Sequence, residues 1–213
     1  MKRILRLDTK KIIDAQPLFA KSQKKQEQDW QELEWITQAK HGSQVAFHHL
    51  YEKYHQQIYA LCWRMLADKD SAEDVCQEVF VVLWQKIDNF RGDSKFSTWL
   101  HSVATNVVLG HLRKHKTWLQ KIFSIEDQSD TTKEESVPMH DDSGLDALDK
   151  QIARLPERAR IVFVLFAVEG YRHEEIAKML KMAVGSSKSQ YHRAKALLKQ
   201  WLVEAEQEEF CHE

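Results

Sequence analysis

The chain has 213 residues, of which only six are glycine and three proline, and it lacks alternating Val/Ile/Thr runs, which favours helices over sheets and predicts an all-helical fold. An apolar content of 43 % supplies a packed interior, yet no run approaches the ~18 apolar residues of a membrane span, so no membrane insertion is expected. The net charge of −1 conceals strong segregation: +4 over residues 91–118, −7 over 119–149 and +7 over 150–200, as two basic blocks around an acidic one would present to a polyanion.

Residues 1–40 are Lys- and Gln-rich and read as an N-terminal extension without the apolar run of a signal peptide, which makes the cytoplasm the expected compartment. From Trp30 to about Met65, Leu33, Ile36, Phe47, Leu50, Tyr51, Tyr54, Ile58 and Leu61 recur at helical spacing, with a break at Gly42-Ser43. A further helix starts at Asp70-Ser71-Ala72-Glu73-Asp74, where Asp70 or Ser71 is the expected cap and the acids suit the positive end of the helix dipole. It continues through Phe80 and Trp84 to about Ile87. Asn89–Ser94, with Arg91-Gly92-Asp93, reads as a loop, and the next helix runs from Ser97-Thr98 to about His115. These elements form a helical domain over 41–118.

Periodicity vanishes between about Ser124 and Ser143, so 119–144 reads as an acidic solvated linker. Helices return at Leu145, and Pro156 sits at a tolerated first-turn position before Ile161–Phe166 and Gly170. The domain spans 145–202 and precedes an acidic tail over 203–213. Its last part predicts a helix-turn-helix. The first helix covers about Glu174–Lys181 with Ile176, Ala177 and Leu180 inward, and Val184 plugs the turn. The second begins near Gly185-Ser186 and turns Tyr191, Ala194, Leu198 and Trp201 inward. Its other face carries Ser186, Ser187, Lys188, Gln190, Arg193 and Lys195. Hydroxyls and amides at a helix start meet phosphates, and long polar side chains reach base edges; Gln190 has the amide that pairs with adenine.

Cys62, Cys76 and Cys211 form no CxxC pair, and Cys62 and Cys76 fall in apolar helical patterns, as small buried residues of a reducing compartment do. The eleven histidines include no HExxH, and the i, i+4 pair His111 and His115 suits a DNA-facing or solvated role better than a metal. No metal, cofactor or catalytic residue is expected, so the chain does not read as an enzyme.

Leu155-Pro156-Glu157-Arg158 through Glu169-Gly170, followed by Glu174-Glu175-Ile176-Ala177, Lys188-Ser189 and Arg193-Ala194-Lys195, resembles the −35-reading domain of extracytoplasmic-function (ECF) sigma factors of the sigma-70 family. Ala46-Phe47, Leu50-Tyr51, Tyr54, Ala72–Phe80, Leu83-Trp84, Phe96, Trp99-Leu100 and Ala104-Thr105-Asn106 resemble the polymerase- and −10-binding domain of the same family. The resemblance implies a sigma factor that binds core RNA polymerase and promoter DNA and is held inactive by an anti-sigma factor. It implies that Asp74, Gln77 and Glu78, flanked by exposed Phe80 and Trp84, dock on the polymerase clamp, an acid and amide edge with aromatic anchors. It further implies that the loop at Asn89–Lys95 and the helix after it read the −10 strand, where the family flips out a base. There Arg91, Lys95, His101, Arg113 and Lys114 meet phosphate and Asn106 a base edge. Ser102-Val103 stand where primary sigma factors carry melting aromatics, which predicts weaker intrinsic melting. The acidic linker resembles the family's segment that threads the polymerase cleft.

The chain departs from the family pattern at Ser186-Ser187, where Thr-Val is usual, at Gln190 and Thr105, where Arg is common, and at Gly110-His111. The alternative reading is a stand-alone helix-turn-helix transcriptional regulator, which leaves the Asp74–Trp84 segment without a role.

Overall fold

A computed structural model describes residues 28–114 and 147–210, and every regular element among them is helical. Two units are distinguished, Met1–Lys53 and Tyr54–Glu213.

In the first unit, α1 (28–40) is followed by a turn at His41-Gly42 and by the start of α2, Gln44–Leu66. Gly42 takes a φ of +85°, a left-handed conformation that side-chain-bearing residues adopt at a cost. Ile36 and Ala39 of α1 and Ala46 and Leu50 of α2 are buried. A Lys53–Glu32 ion pair at 2.7 Å and stacking of Trp35 on His49 at 4.9 Å join the two helices.

The second unit begins with the rest of α2. The following α3 (Lys69–Lys86) is capped two to three residues earlier than expected: Asp68, not Asp70 or Ser71, accepts from the Ser71 N–H at 2.8 Å. Asp68 has the extended backbone a cap requires, and hydrogen bonding by the Ser71 side chain, then by its N–H, holds the Asp68 carboxyl below the ordinary carboxylate pKa. Ala72, Val75, Cys76, Val79, Phe80 and Leu83 then repeat at three- and four-residue spacing as one buried stripe, each large member stabilising by ~1.5–3 kcal/mol. A 3-10 turn at Ile87–Asn89 ends α3, and α4 runs over Phe96–Lys114. Helices α3 and α4 pack together, with Leu100, Ala104, Val108, Leu109 and Leu112 of α4 buried. Cys62 and Cys76 are free and buried within this core, as their apolar setting predicts. Their mutual hydrogen bond raises the Cys62 thiol pKa and lowers that of Cys76.

The remaining elements are α5 (Ala147–Arg154), α6 (Glu157–Phe163), a π turn at Val164–Val168, α7 (His173–Leu180) and α8 (Val184–Phe210). The single helix expected through Phe166 thus loosens at Val164, and the Glu169 N–H donates to the Val164 carbonyl at 3.0 Å. Gly170, at φ +76°, closes it. Helix α8 packs on α5, α6 and α7. The α7–α8 turn is the expected helix-turn-helix: Ile176, Ala177, Leu180, Ala194 and Leu198 are buried. Lys181 is left-handed at φ 52°, and the Met182 N–H donates to the Ala177 carbonyl at 2.9 Å. At its start, the Glu175 carboxylate accepts from the Arg172 N–H at 2.7 Å. The linker expected over 119–144 and most of the acidic tail lie outside the described residues or side chains.

Candidate functional site

Three surfaces collect the sequence-predicted site residues. On α3, Asp74, Gln77 and Glu78 are exposed and Trp84 is 38 % exposed. Phe80 is not an exposed anchor. It is 5 % exposed, within ring-contact range of His55 at 6.2 Å, because it falls four residues after Cys76 on the buried stripe. Val81, which the residue pattern did not single out, is 56 % exposed instead. Asp74, Gln77, Val81 and Trp84 therefore form one outward stripe at three- and four-residue intervals, visible in the sequence once the register of the buried stripe is fixed.

The second surface is the loop before α4 and α4 itself. Arg91 and Lys95 are exposed. The loop is held at both ends by an aromatic cluster: Phe90 meets Phe96 edge-on at 5.2 Å and Trp99 at 5.4 Å, and Tyr54 meets Phe96 at 5.6 Å. Asn106 is exposed, with its amide nitrogen donating to the Ser102 carbonyl at 2.8 Å. Arg113 and Lys114 are exposed at the C-terminal end of α4, the end that favours cations. His101 is placed differently. Its Nδ1 lies 2.9 Å from the Glu169 carboxylate, and Thr105, one turn later, is fully buried.

The third surface is α8. Lys188 and Lys195 are exposed, and Ser186, Gln190 and Arg193 are half-buried along its flank. Lys195 places its ammonium 5.7 Å from the Tyr191 ring centroid. Ser187 is 0 % exposed and bonded to His173 Nδ1 at 2.9 Å, which removes it from the DNA-facing set. The cause is again register: Ser187 lies seven residues before Ala194, on the inward stripe. His173 stacks on Phe166 at 4.2 Å, so Ser187 is tied into the module's interior. The exposed stripe instead runs Lys188, His192, Lys195 and Lys199, and sequence reasoning missed His192 and Lys199. Both follow from stepping three or four residues from Lys188. Among the described residues, no three His, Cys, Asp or Glu side chains gather as a metal site, and no helix is long and apolar enough to cross a membrane.

An all-helical chain with an acidic, apolar-studded helix edge in one domain and a basic helix-turn-helix in the other defines a class of DNA-binding transcription proteins. Comparison with known proteins is more specific. Residues 50–117 match the sigma-70 region 2 family and residues 145–198 match sigma-70 region 4. The chain is 32 % identical over 176 residues to the ECF RNA polymerase sigma factor SigW of Bacillus subtilis, covering 78 % of this chain and 94 % of that protein. It is 30 % identical over 169 residues to the ECF RNA polymerase sigma-E factor of Escherichia coli K12, covering 75 % and 88 %. A solved structure of the sigma factor RpoE with the anti-sigma factor NepR from Bartonella quintana is similar at a TM-score of 0.46 and 23 % identity, over 73 % of this chain and 96 % of that one.

The chain belongs to the ECF sigma factors of the sigma-70 family, and its function is to direct transcription initiation by RNA polymerase. It is not an enzyme in its own right.

Proposed function

We propose that the helical domain over 41–118 holds core polymerase through the Asp74, Gln77, Glu78 and Trp84 edge of α3 and reads the −10 element through Arg91, Lys95, His101, Asn106, Arg113 and Lys114. The domain over 145–202 reads the −35 element through Ser186, Lys188, Gln190, Arg193 and Lys195. An anti-sigma factor restrains the chain, which works in the cytoplasm. The observation that carries this reading is the opposite character of two exposed helix edges. The α3 edge is acidic with Val81 and Trp84 exposed, a surface that phosphate repels and a protein interface uses. The α8 edge carries Lys188, Lys195 and Lys199 outward, with Gln190 and Arg193 beside them, a surface for a polyanion.

Reconstituted transcription with core polymerase and a library of promoter fragments tests it. Wild type is expected to comigrate with polymerase on a sizing column and to support specific transcripts. Asp74→Ala together with Gln77→Ala is expected to lose both while remaining folded. Retained polymerase binding by that double variant places the interface elsewhere.

A further inference from the structure

The inward side of α8 is seated in two ways. Tyr191 sits among rings, its centroid 4.5 Å from that of Phe166, 6.0 Å from Phe163 and 5.9 Å from His173. One turn earlier, fully buried Ser187 shares a hydrogen bond of 2.9 Å with His173 Nδ1. The His173 ring also stacks on Phe166 at 4.2 Å with the planes 13° apart, so the π turn, α7 and α8 meet at this one residue.

The two contacts constrain different motions. Ring contacts tolerate a range of offsets and tilts. A hydrogen bond weakens steeply once its angle is lost, so it resists rotation. Ser187 lies in the first turn of α8, which begins at Val184, the end that a helix-turn-helix presents to bases. There the chain already holds α8 at one point, the turn, where the Met182 N–H donates to the Ala177 carbonyl at 2.9 Å. His173 supplies a second point, and it is itself fixed: it opens α7, whose start is closed by the Glu175 carboxylate accepting from the Arg172 N–H at 2.7 Å. Two points fix the roll of a helix about its axis where one does not. A hydroxyl both donates and accepts, so the bond persists whichever ring nitrogen of His173 carries the proton.

The roll matters because Lys188 and Gln190 follow Ser187 by one and three residues, on the same stretch of helix. A roll of ~15° moves a side-chain tip ~6 Å from the axis by ~1.5 Å, about half the length of a hydrogen bond. Recognition side chains keep their geometry to within ~0.5 Å only where packing and buried hydrogen bonds support them. The departure from the family pattern at Ser187, where valine is usual, therefore carries a bond that valine cannot form.

We infer that His173 and Ser187 are positioning residues for −35 recognition: their buried hydrogen bond sets the roll of α8 and thereby which base pairs Lys188 and Gln190 discriminate. Both act through α8 rather than by touching a base. The inference rests on the −35 reading of α8 above.

Transcription by the reconstituted holoenzyme from a promoter panel, in which each −35 base pair is replaced in turn, tests it. The readout is the ratio of transcript from the preferred −35 sequence to that from its single-base variants, which loss of folded protein alone does not move. Ser187→Val is expected to flatten this ratio about tenfold, within the range that one base-reading side chain contributes. Ser187→Thr keeps the hydroxyl and should restore it. His173→Asn places an amide atom where Nδ1 stands and should retain it, whereas His173→Leu should flatten it as Ser187→Val does. Combining His173→Leu with Ser187→Val should add nothing further, because both remove the same bond. Circular dichroism verifies each fold, and Ser187→Ala replaces Ser187→Val if valine disturbs it. An unchanged ratio in the folded variant that lacks the hydroxyl overturns the inference, as does additive loss in the double variant. A wild-type holoenzyme indifferent to every −35 substitution overturns the −35 reading instead. Hydrogen exchange in the free full chain then decides the bond: the Lys188–Gln190 amides should exchange about tenfold faster without the hydroxyl than in wild type or Ser187→Thr, and equal rates overturn the positioning role.

Discussion

Helices α3 and α8 are built alike and present edges of opposite charge. Each buries one stripe and leaves an exposed edge, yet the α3 edge offers Asp74, Gln77 and Glu78 with Val81 and Trp84 among them, and the α8 edge Lys188, Lys195 and Lys199. The buried stripe decides that a helix forms and which way it faces, and the exposed edge decides what it meets. The comparison also shows how one position changes a residue's role: Phe80 and Val81 are neighbours in the chain, but one is core and the other surface.

The strongest way to break this comparison is to exchange core for edge. Phe80→Ala is expected to cost ~3–5 kcal/mol in denaturant unfolding, whereas Trp84→Ala should leave unfolding nearly unchanged and weaken polymerase association by ~2 kcal/mol. Equal effects of both on stability would mean that Trp84 belongs to the core. On α8, Gln190→Ala should weaken recognition of the −35 element by ~1–3 kcal/mol, measured against a panel of promoter sequences, if Gln190 pairs with a base. An unchanged sequence preference would remove it from the readout.

A finer separation uses salt. Lys195→Ala should reduce the slope of log affinity against log salt by about 1, as loss of one phosphate contact does. Ser187→Ala should leave that slope alone and cost ~1 kcal/mol of folding stability, because its partner is His173 rather than DNA. A changed slope for Ser187→Ala would return it to the interface.

The smallest expected effect is at the start of α3. Asp68→Ala should cost ~1 kcal/mol in thermal unfolding. Because Ser71 holds the Asp68 pKa below the ordinary carboxylate value, the contribution of the charge is fully present above that ordinary value and fades as pH falls through the lowered one. The difference between wild type and Asp68→Ala should therefore narrow in acid; a constant gap would show that the carboxylate charge is not what the cap uses.

Much of the fold was legible because helical spacing is a local property. The helices of both domains, the break at Gly42-Ser43 and the inward set Ile176, Ala177, Leu180, Ala194 and Leu198 follow from the positions of apolar residues along the chain. The family was legible for the same reason, since its motifs are short runs of consecutive residues. The misread positions share a cause. Assigning Phe80 and Ser187 to exposed faces required the rotation of each helix about its axis, and a shift of one residue turns a side chain by about 100°.

Sequence alone determined the helical class, the two-domain order, the segregated charge and the family, because each is written in neighbouring residues. Tertiary structure alone decided that Arg160 closes the ends of α2 and α5, that Arg64 pairs with Asp149 across 85 positions and that His101 faces Glu169 across 68. Partners so far apart in the chain leave no periodic trace. Only the packing of helices brings such donors to the carbonyls and carboxylates that satisfy them.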